Sequence, residues 1–313
     1  MNDPDFYRPG RVGKLLPPDV SAAINAGIAD SDRAFHGEEP GVLLLLVDPQ
    51  VDFIHVDGAL SVPGAVEDTR RTIEWIFRNL GSIDTIAASL DSHYPQHIFF
   101  PTWWVDERGE HPAPYTVILP EQVRSGRWQP VYQQEWSRSY VERLHAQAKK
   151  DLMIWPFHAM LGTPGHAITP ALYEALAYQS AASGNPLRLI VKGTLPETEF
   201  YSILEAEVKP QQGERGELNR ELLEWMVGFE QVFIAGQAKS HCVLETLTSI
   251  GRFYQDQPET MAKFHLLTDC TSSVQHPEID FEAIAQDALS GFERQGLRLV
   301  TSEAPLDVRR PAS

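Results

Sequence analysis

The chain passes from strand to helix within the stretch Val232-Phe-Ile-Ala-Gly236-Gln-Ala-Lys-Ser-His-Cys242-Val-Leu-Glu-Thr-Leu247. The residues before Gly236 form an apolar run of buried-strand length, and the apolar residues after Cys242 recur with the spacing of one helical face. This pattern predicts Cys242 at or near a helix N-terminus, where free N–H groups and the helix dipole favour the nucleophilic thiolate. The alternative is an inert cysteine buried in the core.

Similar short apolar runs recur along the chain between segments with helical spacing. They cover residues 42–47, 83–90, 187–191, 232–235 and 264–267. Such alternation predicts parallel strands that are joined by crossover helices. We therefore expect an α/β fold with a doubly wound, mostly parallel sheet and helices on both of its faces.

Composition narrows the classes of protein to which the chain can belong. It has 313 residues, a formal net charge of -17 and two cysteines. Two cysteines do not make a disulfide framework, and the sequence shows neither a signal peptide nor an apolar run of about 20 residues. We expect a cytoplasmic protein with no membrane partner. The negative charge would repel phosphate backbones, so nucleic acid is not an expected partner either.

The sequence divides into an arm, a domain and a tail. Residues 1–40 are rich in proline, glycine and charge, which predicts an extended arm that wraps the domain or joins an oligomer contact. The domain is predicted over 41–301 and the tail over 302–313. A proline- and tryptophan-rich insertion interrupts the domain at about 99–150, and its later part has a helical pattern. An insertion of this length predicts a lid, an interface or a poorly ordered loop.

Three potentially reactive residues each follow an apolar run: Asp48, Lys192 and Cys242. Because ligands bind beyond the carboxyl ends of parallel strands, we expect these side chains to share one pocket. A carboxylate, an ammonium and a thiol form a complete set for covalent acyl transfer. Taken singly, Asp48 is also explained as a turn former and Lys192 as a solvated strand end.

A second grouping consists of Asp91, His93 and His158, which also follow apolar runs. One carboxylate and two imidazoles make a three-ligand site that suits zinc, iron or manganese better than calcium or magnesium. The alternative is that the histidines cap turns or bind backbone carbonyls.

With these residues, the chain resembles the nicotinamidase and isochorismatase-like cysteine hydrolases over residues 41 to about 301. The resemblance implies a six-stranded, three-layer sandwich of the isochorismatase-like type. Five groups of residues carry it in the family's order: Val47-Asp48-Pro-Gln50-Val-Asp52-Phe53 with Gly58-Ala-Leu-Ser-Val-Pro63-Gly64, Asp91-Ser-His93-Tyr-Pro-Gln-His97, Trp155-Pro-Phe-His158-Ala-Met-Leu-Gly162, Lys192-Gly-Thr with Tyr201-Ser202, and Gly236-Gln-Ala-Lys-Ser-His-Cys242-Val.

The resemblance also implies a role for each matching residue. Asp48 would be the general base, Lys192 its charged partner and Cys242 the nucleophile. A cis peptide would join Gln237 and Ala238, and the N–H groups of Ala238 and Cys242 would form the oxyanion hole. The implied metal ligands are Asp91, His93 and His158, with zinc favoured and iron or manganese as alternatives. The residues implied to flank a substrate ring are Phe53, Trp155 and Tyr201.

The chain departs from the family's pattern at three places. The segment between His97 and His158 is much longer, Ala159 stands where a cysteine is usual, and Lys239-Ser240 replaces the usual threonine and acidic pair. The resemblance implies hydrolysis of a small carboxamide, preferably a nicotinamide-like N-heterocycle, to acid and ammonia, by a homo-oligomer. The alternatives are a metal-free isochorismatase-type hydrolase or other amidase, and a binding or scaffold protein with weak catalysis.

Overall fold

The structure is a computed structural model and describes residues 3–37, 40–148, 150–210 and 215–306. Its strands are β1 (Val42–Val47), β2 (Ile83–Asp91), β3 (Trp104–Val105), β4 (Val117–Ile118), β5 (Gln129–Pro130), β6 (Leu152–Met153), β7 (Arg188–Lys192), β8 (Gln231–Gly236), β9 (Phe264–Leu267) and β10 (Arg298–Val300). Its helices are α1 (Val20–Ala29), α2 (Val51–Ile54), α3 (Ala65–Arg78), α4 (Pro120–Arg124), α5 (Gln134–Arg143), α6 (Pro170–Ser183), α7 (Arg220–Val227), α8 (Leu244–Phe253), α9 (Pro258–Met261) and α10 (Phe281–Gln295).

The main sheet has six parallel strands in the order β10-β9-β8-β1-β2-β7. The chain builds outward from β1 in one direction through β2 and β7, and in the other direction through β8, β9 and β10. The order therefore reverses between β1 and β8, and ligands of such sheets bind beyond the strand ends at that point. The prediction of a doubly wound parallel sheet is confirmed.

The central strand β1 is buried along its whole length. Its side chains alternate between the two faces, which explains why it is a continuous run of leucine and valine. Leu44 and Leu46 pack on one side with α3 and α6, whereas Leu43 and Leu45 pack on the other side with α7, α8 and α10. The result is a three-layer sandwich with one apolar core on each face of the sheet.

The arm is more ordered than the sequence suggests. It contains α1, which packs against α6, and its residues Tyr7, Val12 and Ala23 belong to the core on that face. The extended arm predicted over 1–40 is therefore wrong in one respect, because its middle part is helical. In the tail, Ser302 donates to the carboxylate of Asp269 over 2.7 Å, and residues 307–313 lie outside the described ranges.

The insertion forms a small packed unit of its own. Two antiparallel strand pairs, β3-β5 and β4-β6, surround a core of aromatic and aliphatic side chains that includes Trp103, Trp104 and Tyr140. The helical pattern near its end is confirmed by α5, which a π-helical turn (Leu144–Ala148) extends. Trp155, which was predicted to flank a substrate ring, belongs to the same core, so this unit extends to the predicted substrate site.

Within the described ranges, no helix combines the length and the apolarity needed to cross a membrane.

Candidate active site

Asp48 lies directly after β1 with a left-handed backbone, at a φ of 45°. Aspartate tolerates this conformation better than most residues. Its side chain is fully buried, and the hydroxyl of Ser89 donates to its Oδ1 over 2.5 Å. The same hydroxyl accepts from the Asp48 backbone N–H over 2.9 Å. Ser89, on the adjacent strand β2, therefore fixes the direction in which the Asp48 carboxylate points.

Lys192 ends the edge strand β7 and joins two carboxylates. Its Nζ lies 2.9 Å from Asp48 Oδ2 and 2.9 Å from Asp91 Oδ1, and it donates to the carbonyl oxygen of Phe200 over 2.8 Å. Burial by itself would lower the pKa of Lys192, but the two carboxylates more than offset this and raise it above its ordinary value. Lys192 is therefore a fixed positive charge in this cluster.

Cys242 lies in a π-helical turn (Lys239–Val243), here called the nucleophile turn, which connects β8 to α8. The predicted position at a strand-to-helix junction is confirmed. Its Sγ lies 3.6 Å from Lys192 Nζ, and Sγ, one Asp48 oxygen and one Asp91 oxygen all lie within 4.8 Å of one another. The three residues that the sequence predicted to share a pocket thus meet in space.

The protonation of Cys242 runs against the sequence-based expectation of a thiolate. Burial raises the pKa of the Cys242 thiol well above its ordinary value; Lys192 opposes this shift and the nearby carboxylate of Asp48 reinforces it. Burial likewise raises the pKa of Asp48, against the opposing charge of Lys192. The resting pair is therefore a thiol beside a carboxyl group whose affinity for protons is increased, and an attack by Cys242 requires transfer of the thiol proton to a base.

Asp91, His93 and His158, here called the ligand trio, come together beside this cluster. One ligand atom from each lies within 4.8 Å of the others, and all three side chains are buried. His93 Nε2 lies 2.8 Å from Asp91 Oδ2. Burial would raise the pKa of Asp91, but His93 and Lys192 hold it below its ordinary value, so this carboxylate is ionised. Burial lowers the pKa of His158 to about 3, so its imidazole is neutral.

The surroundings of the two histidines fit a metal site. His158 Nδ1 donates to the carbonyl oxygen of Pro156 over 2.7 Å, which leaves its Nε2 as a free electron-pair donor. His93 Nδ1 faces the carbonyl oxygen of Gly193 at 3.3 Å, and its Nε2 faces Asp91 Oδ2 at 2.8 Å, where a bound ion would replace the proton between the two atoms. Such outer hydrogen bonds set the tautomer of ligating histidines. The donor set of two nitrogens and one oxygen suits zinc and related ions.

Gly193 shows how tightly this site is built. It has a φ of 76°, and a Cβ at this position would lie 2.6 Å from Asp91 Oδ1 and 2.9 Å from His93 Cε1. Only glycine therefore permits the close approach of this backbone to the trio. Its carbonyl oxygen also accepts from His97 Nε2 over 2.8 Å, so His97 supports the site from outside.

A narrow cavity opens onto Cys242 and the ligand trio. Its remaining lining is mostly aromatic and apolar and includes the three residues predicted to flank a substrate ring: Phe53, Leu60, Val62, Phe99, Trp155, Glu199, Phe200, Tyr201, Ala238, His241 and Val274. The peptide between Gln237 and Ala238 is cis, as the resemblance implied. Ala238, predicted to share the oxyanion hole with Cys242, therefore borders the same space as the sulfur.

One side of the cavity is formed by side chains that we call the aromatic wall: Trp155, Glu199, Tyr201 and His241, which line the cavity, and Tyr140, which contacts Glu199. Tyr140 and Tyr201 donate to the two oxygens of Glu199 over 2.8 and 2.7 Å, and Trp155 Nε1 donates to the hydroxyl of Tyr201 over 2.9 Å. Because Tyr140 lies on α5, the insertion supports the position of Tyr201 and Trp155 beside the cavity.

Sequence reasoning missed Ser89, Glu199, Tyr140 and His241. Ser89 carried a usable signal, since it is a polar residue that directly follows the apolar, buried residues 86–88 of β2. Tyr140 and Glu199 lie 59 positions apart in irregularly spaced sequence, and no periodic pattern relates them. His241 was visible in the sequence beside Cys242, but the contacts of its ring with Trp155 and Tyr201 depend on tertiary packing.

Comparison with known proteins identifies the fold. No protein-family profile matches the chain, and no curated protein sequence is significantly similar to it. Among solved structures, the yeast nicotinamidase bound to the inhibitor nicotinaldehyde is similar at 18% identity and a TM-score of 0.55, covering 83% of this chain and 99% of that one. An Acinetobacter baumanii nicotinamidase pyrazinamidase is similar at 17% identity and a TM-score of 0.53, covering 85% and 98%. A protein of L. infantum in complex with nicotinate matches at 19% identity and a TM-score of 0.50, covering 86% and 96%. The chain thus has the isochorismatase-like α/β fold that the resemblance implied.

Proposed function

We propose that this protein is a cysteine-dependent amidohydrolase that cleaves a small carboxamide to a carboxylic acid and ammonia through a thioester on Cys242. The observation that carries the proposal is the convergence of Asp48, Lys192 and Cys242 at one end of the sheet, with Lys192 Nζ 2.9 Å from a carboxylate oxygen of Asp48 and 3.6 Å from Sγ. A nucleophile, a base and an orienting charge within contact distance are the constellation of covalent acyl transfer.

The first half of the reaction forms the thioester. Asp48 accepts the thiol proton, and the sulfur of Cys242 attacks the carbonyl carbon of the amide. The N–H groups of Ala238 and Cys242 are the proposed donors to the oxyanion, a contribution of about 10²–10³ in rate per donor. Asp48 then returns the proton to the amide nitrogen, the C–N bond breaks, and ammonia leaves. Lys192 holds the Asp48 carboxylate in place during both transfers.

The second half of the reaction hydrolyses the thioester. Asp48, again a carboxylate, accepts a proton from a water molecule that attacks the acyl carbon. The C–S bond breaks, the acid leaves, and the proton that Asp48 holds restores the Cys242 thiol. The raised pKa of Asp48 suits a group that must both accept and return a proton.

The ligand trio is proposed to hold a divalent transition ion, with zinc favoured over iron or manganese. When bound, such an ion would supply a Lewis acid for a ring nitrogen of the substrate or for water. Asp91 contacts both His93 and Lys192, so the trio and the catalytic residues share one buried carboxylate. The two sites are therefore one electrostatic unit.

The cavity lining supports an aromatic substrate. Phe53 and Trp155 are proposed to flank a planar ring, and Tyr201 closes the same wall. The yeast and L. infantum structures described above contain nicotinaldehyde and nicotinate. A nicotinamide-like N-heterocyclic amide is accordingly the leading substrate class. Cytoplasmic location and homo-oligomerisation stay predictions.

Ammonia release from a panel of amides tests the proposal. We expect the zinc-loaded protein to release ammonia from nicotinamide faster than from aliphatic amides, because a planar ring can pack against the aromatic residues that line the cavity. Activity that is unchanged after chelation, with no metal found by elemental analysis, would favour a metal-free hydrolase. Release from none of the amides would contradict the proposal and leave a binding or scaffold protein as the better account.

A further inference from the structure

His241 is the residue before the nucleophile, and its ring lies in the aromatic wall of the cavity. The ring centroid lies 5.5 Å from that of Trp155 and 5.6 Å from that of Tyr201, with the ring of Phe281 4.8 Å away on another side. Aromatic contacts with three separate elements of the chain hold the ring in one orientation. The mechanism proposed above gives this residue no task.

The hydrogen bonds of Ser240 determine which ring nitrogen of His241 carries the proton. Ser240 Oγ lies 2.8 Å from His241 Nδ1 and accepts from the backbone N–H of Val274 over 3.1 Å. Within the described ranges, this hydroxyl has no other partner, so its own hydrogen is satisfied only if it donates to Nδ1. The proton of a neutral His241 ring then lies on Nε2.

His241 is neutral in this environment, because burial and, to a smaller extent, Lys150 lower its pKa to about 3. The other polar groups of the wall are already paired, since the hydroxyl of Tyr201 bonds to Glu199 and Trp155. The Nε2–H of His241 has no hydrogen-bond partner among the described residues. His241 is therefore a neutral donor on a ring that lines a largely apolar cavity.

The replacement of the usual threonine and acidic pair by Lys239-Ser240 has a role in this arrangement. Lys239 Nζ donates to Glu282 Oε1 over 2.8 Å, and its backbone N–H donates to the carbonyl oxygen of Ser272 over 2.8 Å. The backbone bond attaches the nucleophile turn to the loop that carries Val274, and the side-chain bond attaches the turn to α10. That loop in turn supplies the N–H that orients Ser240.

We propose that His241 determines substrate specificity by donating an Nε2 hydrogen bond to an acceptor on the acyl group of the amide. The substrate class is then an N-heterocyclic amide that carries a second ring acceptor, a nitrogen or an oxygen, besides the nitrogen that faces the ligand trio. A buried donor that lacks its partner is costly, so a substrate without the second acceptor binds less tightly. This inference rests on the proposed function.

Equilibrium binding separates this inference from catalysis. The zinc-loaded Cys242→Ala variant is titrated by calorimetry with nicotinamide, pyrazinamide, pyrimidine-5-carboxamide and 6-methoxynicotinamide, of which the last three add an acceptor at different ring positions. We expect at least one of these three to bind about tenfold more tightly than nicotinamide. Equal affinities for all four amides, or binding of none of them, would overturn the inference.

Two further substitutions in this background distinguish hydrogen bonding from packing. His241→Phe keeps an aromatic ring against Trp155, Tyr201 and Phe281 but removes the donor. It is expected to abolish the preference for amides with a second ring acceptor over nicotinamide. His241→Gln places an amide N–H near the position of Nε2 and is expected to retain most of it. A preference that survives in the phenylalanine variant would overturn the inference.

Nitrogen NMR of the histidine ring gives a readout that is independent of binding. We expect the Nε2–H tautomer for His241 in the wild type and a shift towards Nδ1–H in Ser240→Ala. An Nδ1–H tautomer in the wild type would contradict the proposal. Selective binding without any ammonia release by the wild type would refute the proposed hydrolysis alone, whereas release with no selectivity would refute the role of His241 alone.

Discussion

The strand-end cluster of Asp48, Lys192 and Cys242 and the aromatic wall face the same cavity but are built in different ways. The cluster is buried and built around two ion pairs of Lys192; Asp48 and Lys192 lie at the carboxyl ends of β1 and β7, and Cys242 lies in the turn after β8. The wall is held by hydrogen bonds to and around Glu199 and by ring contacts, and part of it depends on the insertion. This difference suggests a division of labour, in which the sheet supplies the chemistry and the insertion and loops select the substrate.

The first prediction tests whether the cluster contains the nucleophile. Cys242→Ala should reduce ammonia release to the blank rate, a loss of about 10⁴-fold or more, because no other group in the cluster can form the thioester. Folding, measured by circular dichroism, and zinc content should not change. The matched control is Cys270→Ala, since Cys270 is buried in the core away from the cavity. Comparable losses in both variants would contradict the assignment.

The second prediction concerns the charge that holds the cluster together. Lys192→Met leaves the carboxylates of Asp48 and Asp91 without the ammonium between them. The free energy of unfolding should fall by about 3–5 kcal/mol, since uncompensated buried charge is expensive. Turnover should fall by about 10³-fold with little change in substrate affinity.

The control for this substitution is Lys209→Met, which removes a partly exposed lysine paired with Glu217. We expect its unfolding free energy to change by about 0–1 kcal/mol, as is usual for surface ion pairs. If urea denaturation gave similar losses for both variants, the buried ion pairs of Lys192 would not stabilise the cluster as described.

The third prediction separates the ligand trio from the surface histidines. His158→Ala removes one of three ligand atoms and should weaken zinc binding by about 100-fold or more, measured by competition with a chromophoric chelator. His145→Ala is the control, because His145 also pairs with a carboxylate, Asp151, but lies on the surface. Equal zinc affinity in the two variants would exclude the trio as the metal site.

The fourth and smallest effect is expected at the wall. Tyr140→Phe removes one of the two hydroxyl donors to Glu199, which should lower the unfolding free energy by about 1–3 kcal/mol and raise KM for an aromatic amide more than it lowers kcat. Tyr173→Phe, at a partly exposed position of α6, is the control. A loss confined to kcat would assign Tyr140 to the chemistry and contradict the division of labour.

The stability effect of Tyr140→Phe should also depend on pH. Burial raises the pKa of Glu199, and the hydrogen bonds of Tyr201 and Tyr140 oppose that shift. The folded state therefore binds the Glu199 proton more tightly than the unfolded state, so stability falls as pH rises through the window between the two pKa values. Removing Tyr140 raises the folded pKa further, and the deficit relative to wild type should grow from acidic to alkaline pH. A deficit that shrinks with rising pH would contradict this linkage.

The sequence predicted those parts of the site that the sheet positions. Asp48 and Lys192 follow apolar runs, and because parallel strands place their carboxyl ends at one edge, the two residues could be assigned to one pocket. The same argument extends to Asp91. The helix in the arm was missed because α1 is stabilised mainly by packing on α6, and its short apolar stretch gives a weak local signal.

The remaining features depend on tertiary structure that no local pattern encodes. The hydrogen bond between Tyr140 and Glu199 joins α5 of the insertion to the segment after β7, and the two meet only when the insertion packs on the domain. The protonation of Cys242 was predicted in the wrong direction because the helix terminus is visible in sequence, whereas the burial of the sulfur beside Asp48 is not. The direction of a pKa shift can therefore be predicted only when all the groups that surround the titrating side chain in three dimensions are known.

Rapid acid quenching of the wild type during turnover of nicotinamide, followed by peptide mass mapping, tests the covalent role of the cluster most directly. We expect a nicotinoyl group on the peptide that contains Cys242 and none on the peptide that contains Cys270. Release of nicotinate and ammonia with the Cys242 peptide unmodified at every quench time would contradict this expectation.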